Sequence, residues 1–168
     1  MVLYGVAHRV GDNIGTTAII APEQRGAGDP ALLAAYCLAT VDPQIAEAAR
    51  EGDVLLAGAH FGYGDAADSA VLALQAAGFA AVVAASADAG FAAAAAAYGL
   101  PVLICPAATG VAAGSVVRLD LAGGTITDRA TGAVFRTAAC PRELIEAVRR
   151  TQLLARMRRV VEAEGFDG

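Results

Sequence analysis

Three short apolar runs, "DVLLAGA", "AAVVAAS" and "PVLICP", constrain this chain more than any other feature. None alternates apolar with polar residues, so as strands they would be buried on both faces. A helix signal separates each from the next. Residues 66–77 form the first, stopped by Gly78, and the second runs from Asp88 through the alanines to Tyr98, stopped by Gly99. The order strand, helix, strand, helix, strand predicts a parallel βαβ core. A chain of 168 residues, 57% hydrophobic and 17% charged, is large enough to bury such a core without disulfides or metals.

The flanking segments complete an α/β domain. "VLYGVAHRV" reads as a strand, and "GDNIGTTAIIAP" as a turn leading into a short strand that stops at Pro22. Asp29-Pro30 and Asp42-Pro43 each place a capping acid before a proline, opening the helices "ALLAAYCLA" and "QIAEAARE", the latter ended by Gly52. After Gly114 the pattern changes to alternation. "SVVRLDL", "TITDR" and "AVFRT", joined by Gly123-Gly124 and Thr131-Gly132, predict an antiparallel meander. Pro141 opens a final amphipathic helix. The expected organisation is a single domain over 1–168: a βαβ core (1–110), a β-meander (111–140) and a C-terminal helix (141–168).

Charge and cysteine usage narrow the function classes. A net charge of −5 argues against a nucleic-acid partner, which needs a basic surface. The basic cluster Arg149, Arg150, Arg156, Arg158 and Arg159 is flanked by Glu143, Glu146, Glu162 and Glu164, as on a solvated helix face. "MVLYGVAHRV" lacks the basic start and long apolar core of a secretory leader. Ala89–Cys105 is broken by Gly99 and Pro101 and falls short of the ~20 residues of a membrane span. A cytoplasmic protein without a membrane partner is expected. Cys37, Cys105 and Cys140 show no Cys-x-x-Cys pair, so they read as small core residues and no metal site is expected on this chain.

Candidate chemistry concentrates in "AHFGYGDAADS", between an apolar strand and a helix start. There Gly62-Tyr63-Gly64 leads into a helix whose first amides and dipole point at whatever lies above. Asp65 reads as a cap of that helix or as a general base; Asp68 suits its first turn. His60 is an acid–base or orienting candidate, or a hydrogen-bonded rim residue. Tyr63 either projects into the cleft as a donor or covers the core, to which Phe61 belongs. The alanines 92–97 are strong helix formers that also leave room along a cleft wall.

These stretches resemble the swivel domain of the aconitase superfamily, and more specifically the small subunit of 3-isopropylmalate dehydratase. "GDNIGTTAII" corresponds to a family Gly-Asp-Asn-Ile-Asp-Thr-Asp-Ala-Ile-Ile, and "GDVLLAGAHFGYG" to Gly-Asp-Ile-Ile-Val-Ala-Gly-x-Asn-Phe-Gly-Cys-Gly. "DPQIA", "AVLALQAAGFAAVVAAS" and "YGLPVLICP" extend the likeness over nearly the whole chain. The resemblance implies a swivel fold and a large-subunit partner holding a [4Fe–4S] cluster through its own cysteines. It also implies dehydration and rehydration of a hydroxy-acid.

The chain departs from the family at the chemistry. Of the family's Ser-Ser-Arg-Glu-His, in which a serine is the base and the arginine binds a carboxylate, Asp65, Ala66, Ala67, Asp68 and Ser69 take the places. Asp-Thr-Asp becomes Gly15-Thr16-Thr17, and two further arginines are lost in "ADAGFAAA". The local sign turns negative, which disfavours a dicarboxylate unless another subunit reverses the field. The expected catalytic set is Asp65, His60 and Tyr63, with Gly62, Gly64, Asp68, Ser69, Thr16 and Thr17 binding a small-molecule substrate. The chain is expected to be a diverged small subunit of a hydro-lyase. The alternatives are a repurposed metal-independent enzyme, alone or as a homo-oligomer, acting on a bulky and weakly charged substrate, and a non-catalytic regulatory subunit.

Overall fold

The computed structural model describes residues 1–26 and 28–164, and the end of the expected C-terminal helix, 165–168, lies outside them. A seven-stranded sheet runs in the order β4-β3-β2-β1-β5-β6-β7. The apolar runs form β2 (Val54–Ala57), β3 (Ala81–Ala84) and β4 (Val102–Ile104), paired parallel as expected. The alternating segments form β5 (Val116–Asp120), β6 (Thr125–Asp128) and β7 (Val134–Arg136), an antiparallel meander. At the centre, β1 (Val2–Arg9) joins the halves: Val2–Val6 pair antiparallel with β5 and Ala7–Arg9 pair parallel with β2.

Successive side chains of a strand point to opposite faces, so each inner strand feeds two cores. Leu55, Ala57, Val82 and Ala84 meet Ile19, Leu38, Phe61, Leu74 and Phe91 on one face. Val54, Leu56, Val83 and Leu103 meet Leu119, Ile126 and Val148 on the other. Each fully buried Leu, Ile or Phe contributes about 1.5–3 kcal/mol. The first face is covered by α2 (Pro30–Tyr36), α4 (Ala67–Ala77) and α5 (Ala89–Ala97), α4 lying between the other two. The second is covered in part by α6 (Arg142–Ala163).

The capping chemistry follows the sequence at three helices. Asp29 accepts from the Ala31 amide, Asp42 opens α3 (Pro43–Ala48) by accepting from Gln44, and Asp88 accepts from Phe91. Helix α3 stops well before the expected Gly52. The Asp53 carboxylate accepts the Arg50 amide at 2.9 Å and turns the chain into β2. The same oxygen accepts a 2.7 Å hydrogen bond from His8 Nε2, joining β1 to this turn.

One expected element is corrected. The short strand before Pro22 is a helical turn, α1 (Thr16–Ile19), followed by a 3-10 turn at Pro22–Gln24. The Thr16 amide bonds the Tyr63 carbonyl at 2.8 Å, and the Ala18 and Ile19 amides fold back to Gly15. That winding drives Ile19 and Ile20 into the core. A run this short carries no period that separates helix from strand.

Two outcomes are expected. Asp53→Ala strands the His8 and Arg50 donors and should cost about 2 kcal/mol in chemical denaturation. Burial pushes the Cys37 thiol up to about 12, and the thiolate is the reactive form. Under native conditions near pH 8 Cys37 should therefore resist iodoacetamide, becoming labelled only on unfolding.

Candidate functional site

The candidate residues gather where β1, β2 and β3 end on one side of the sheet, the end at which open α/β sheets bind ligands. Backbone hydrogen bonds stitch the loops after β1 and β2 together. Gly58 donates to Gly11, Asn13 to Ala59, Gly62 to Ile14 at 2.7 Å, and Thr16 to Tyr63 at 2.8 Å. Asp12 Oδ1 adds a bond from the Ala59 amide at 2.8 Å. The loop after β3 closes the other flank: Ser86 accepts the His60 amide through Oγ and the Phe61 amide through its carbonyl, and Asp88 donates to Phe61.

The turn itself is fixed by sterics. Gly62 (φ 83°) sits against the Phe91 ring, which leaves no room for a Cβ, and Gly64 (φ 120°) sits against Thr16 Oγ1. Both are backbone angles that L side chains rarely adopt. Phe61 is buried beneath, edge-on to Phe91 at a ring separation of 5.2 Å. His60 is also left-handed (φ 58°), held there by its amide bond while its imidazole stays on the exposed rim. Positions of this kind persist only where their surroundings over-determine them.

Asp65 does not cap α4. The N-cap position is Ala66, whose amide is directed to Thr16 Oγ1 at 3.4 Å, so a hydroxyl 50 residues away takes the place a local cap would have filled. Asp65 is left exposed, Asp68 stands in the first helical turn and Ser69 is half-buried behind it. Thr16 is 1% exposed and fully engaged with the turn, so among the expected substrate contacts it is a structural tie. Thr17 is exposed and accepts a 3.2 Å bond from Arg25 Nη2. Sequence reading missed Arg25, because only the winding of α1 brings its loop back beside Thr17.

Tyr63 is 50% exposed, and its hydroxyl donates to the Asn13 carbonyl at 3.4 Å. A Cβ at Gly15 would come within 2.8 Å of its ring. The glycine and the tyrosine, both departures from the pattern of the resemblance, therefore fill one space: the phenol lies where a side chain at position 15 would stand. The exposed charges of these loops are acidic, Asp12, Asp65, Asp68 and Asp88, while half-buried Arg25 is held beside Thr17.

Two clefts lie elsewhere. One of about 570 Å³ is formed by Gly52, Gly78, Leu100 and α6 at the far ends of the strands, and one of about 460 Å³ lies by Ser115 and Arg129. Cys37 belongs to the core on one face of the sheet, and Cys105 and Cys140 to that on the other. Among the described residues no three His, Cys, Asp or Glu side chains gather as metal ligands. No described helix is long and apolar enough to cross a membrane.

A mixed α/β sheet of seven strands, with a loop cradle at the ends of its parallel strands and a C-terminal helix, defines an α/β domain of the swivel type. No protein-family model matches the chain. It is 38% identical over 151 residues to the 3-isopropylmalate dehydratase small subunit of Moorella thermoacetica, covering 88% of this chain and 91% of the relative. It is 36% identical over 138 residues to the 2,3-dimethylmalate dehydratase small subunit of Eubacterium barkeri, covering 82% and 85%. The crystal structure of 3-isopropylmalate dehydratase (LeuD) from Methanocaldococcus jannaschii superposes with a TM-score of 0.78 at 27% identity, covering 94% of this chain and 99% of that one. The chain belongs to the family of 3-isopropylmalate dehydratase small subunits.

The shared space at positions 15 and 63 is testable by a double-mutant cycle. Gly15→Asp should destabilise by about 2 kcal/mol through overpacking. Adding Tyr63→Cys should recover part of that loss, with a coupling of about 0.5–1 kcal/mol in denaturant titrations.

Proposed function

We propose that the chain is the small subunit of a hydro-lyase that closes, with a cluster-bearing large subunit, over a hydroxy-acid-like substrate. The observation that carries this reading is the openness of a rigid cradle. Tyr63, Gly64, Asp65 and Asp68 face solvent although the backbone beneath them is fixed on both flanks. Dehydration requires a site from which bulk water is expelled, so another chain has to cover the turn. A [4Fe–4S] cluster belongs on that chain, because the thiols here lie on opposite faces of the sheet and do not fit one.

In the closed assembly Asp65 takes a proton from the substrate carbon next to a carboxylate, the electron pair forms the C=C bond as the neighbouring C–O bond breaks, and the hydroxyl leaves as water with a proton from His60 or Tyr63. His60 and Tyr63 lie on the same rim as acid–base and orienting groups. The Gly62–Gly64 backbone, Asp68, Ser69 and Thr17 line the floor. Arg25, steadied by Thr17 and by the Ile20 carbonyl, supplies a cation for one substrate carboxylate. Any further carboxylate needs cations from the large subunit, since the rim on this side is acidic.

The test is anaerobic co-expression with the aconitase-type large subunit of the same genome, followed by hydration assays on alkyl-substituted maleates and their monocarboxylate analogues. Asp65→Asn should lower kcat about 100-fold with KM little changed. Arg25→Ala should raise KM about tenfold at similar kcat. An active pair untouched by Asp65→Asn would remove Asp65 from the chemistry. Full turnover by the small chain alone would overturn the two-subunit reading.

A further inference from the structure

The C-terminal helix carries two opposite faces, and the body of the protein covers only one of them. At about 100° per residue, Val148, Thr151, Ala155 and Arg159 share one side of α6. That side is attached to the body. Val148 is buried in the second core, the Thr151 hydroxyl donates to the Tyr98 carbonyl at 3.2 Å, and Arg159 pairs with Glu51 at 3.3 Å. Diametrically opposite runs a stripe of Leu153, Leu154, Met157, Val160 and Val161, each between 49% and 62% exposed. Arg150 bounds this stripe at its start and Glu164 at its end, both exposed.

The order along the stripe is self-complementary. We propose that it is the interface between two copies of this chain, with the α6 helices packed antiparallel about a two-fold axis at Met157. An isologous contact of that kind sets each residue against one on the same edge of the seam and within a residue of the same distance beyond the axis. Leu153 then meets the partner's Val160, Leu154 meets the partner's Val161, and Met157 meets its own copy. Arg150 faces the partner's Glu164 at both ends. Opposite charges therefore close the apolar seam twice, whereas a parallel arrangement would put Arg150 on Arg150 and Glu164 on Glu164. Arg156 and Arg158 stand about 100° to either side of Met157, at the edges of the seam where water reaches them. The helix lies against Glu51, Gly78 and Gly99, at the opposite ends of the strands from Gly62–Gly64. Pairing of α6 thus leaves the cradle open to a large subunit.

Sedimentation of the full chain tests this. The wild type should be a dimer dissociating on the order of 10 µM, as small seams of this size do. Met157→Glu, which sets two charges on the axis, should weaken the dimer about 30-fold or more. Arg150→Glu and Glu164→Arg should each weaken it about fivefold through two symmetry-related pairs, and the double reversal should restore it. Under mild oxidation, Met157→Cys should cross-link two chains and Gln152→Cys, on the body face, should not. A wild type that stays monomeric at about 200 µM, a dimer indifferent to Met157→Glu, or charge reversals that fail to rescue each other would overturn the proposal. So would a monomer that sediments with anionic phosphatidylserine vesicles through the same stripe, which would assign it to a lipid surface.

Discussion

The structure depends on β1 pairing in both senses. Its first half completes the antiparallel meander and its second half begins the parallel sheet, so one eight-residue strand holds together two patterns that share no other pairing. The handover lies at Val6–Ala7, where the Ala7 amide bonds Ser115 and the Ala7 carbonyl receives Gly114. The same strand delivers the loop that holds the cradle. Because Arg9 is in register with Leu56, the loops after β1 and β2 leave the sheet side by side. Their four backbone hydrogen bonds follow from that register and need no particular side chains.

This separation of frame from side chains lets the turn keep its shape whatever stands at the exposed positions after Gly64. The geometry of Gly62–Gly64 is fixed by main-chain bonds to Ile14 and Thr16, by Phe91 and by Ser86, all of which remain when the residues after Gly64 are altered. Substitutions at exposed Asp65 and Asp68 alter charge without disturbing the fold. Those at Gly15 and Tyr63 are different, since the Tyr63 ring and carbonyl both lie close to where a Cβ at position 15 would stand.

Much of the fold was legible in the sequence, for stated physical reasons. The runs at β2 to β4 lack alternation because both faces are buried, and three Asp caps show their acids directly before the helices. What escaped the sequence depended on contacts distant along the chain. The turn α1 is wound by a bond from Thr16 to Tyr63, and Ala66 is capped by the Thr16 hydroxyl in place of Asp65. Arg25 comes beside Thr17 through that same winding. The central position of β1 likewise follows from pairing on both edges, which no local pattern reports. The residues of the turn do lie together in one loop cradle at the ends of the parallel strands. Their separate duties, Thr16 as a tie and Asp65 as a free carboxylate, needed the tertiary structure.

A cradle that is pre-formed on this chain and completed by a second subunit has a direct signature in amide exchange. Hydrogen–deuterium exchange on the small chain, with and without the large subunit, tests it most directly. Added protection is expected in residues 10–17 and 58–69 on complex formation, with the amides of Gly62 and Thr16 already slow in the free chain. Fast exchange of those two amides in the free chain, or a complex that protects other surfaces and leaves 58–69 unchanged, would contradict it.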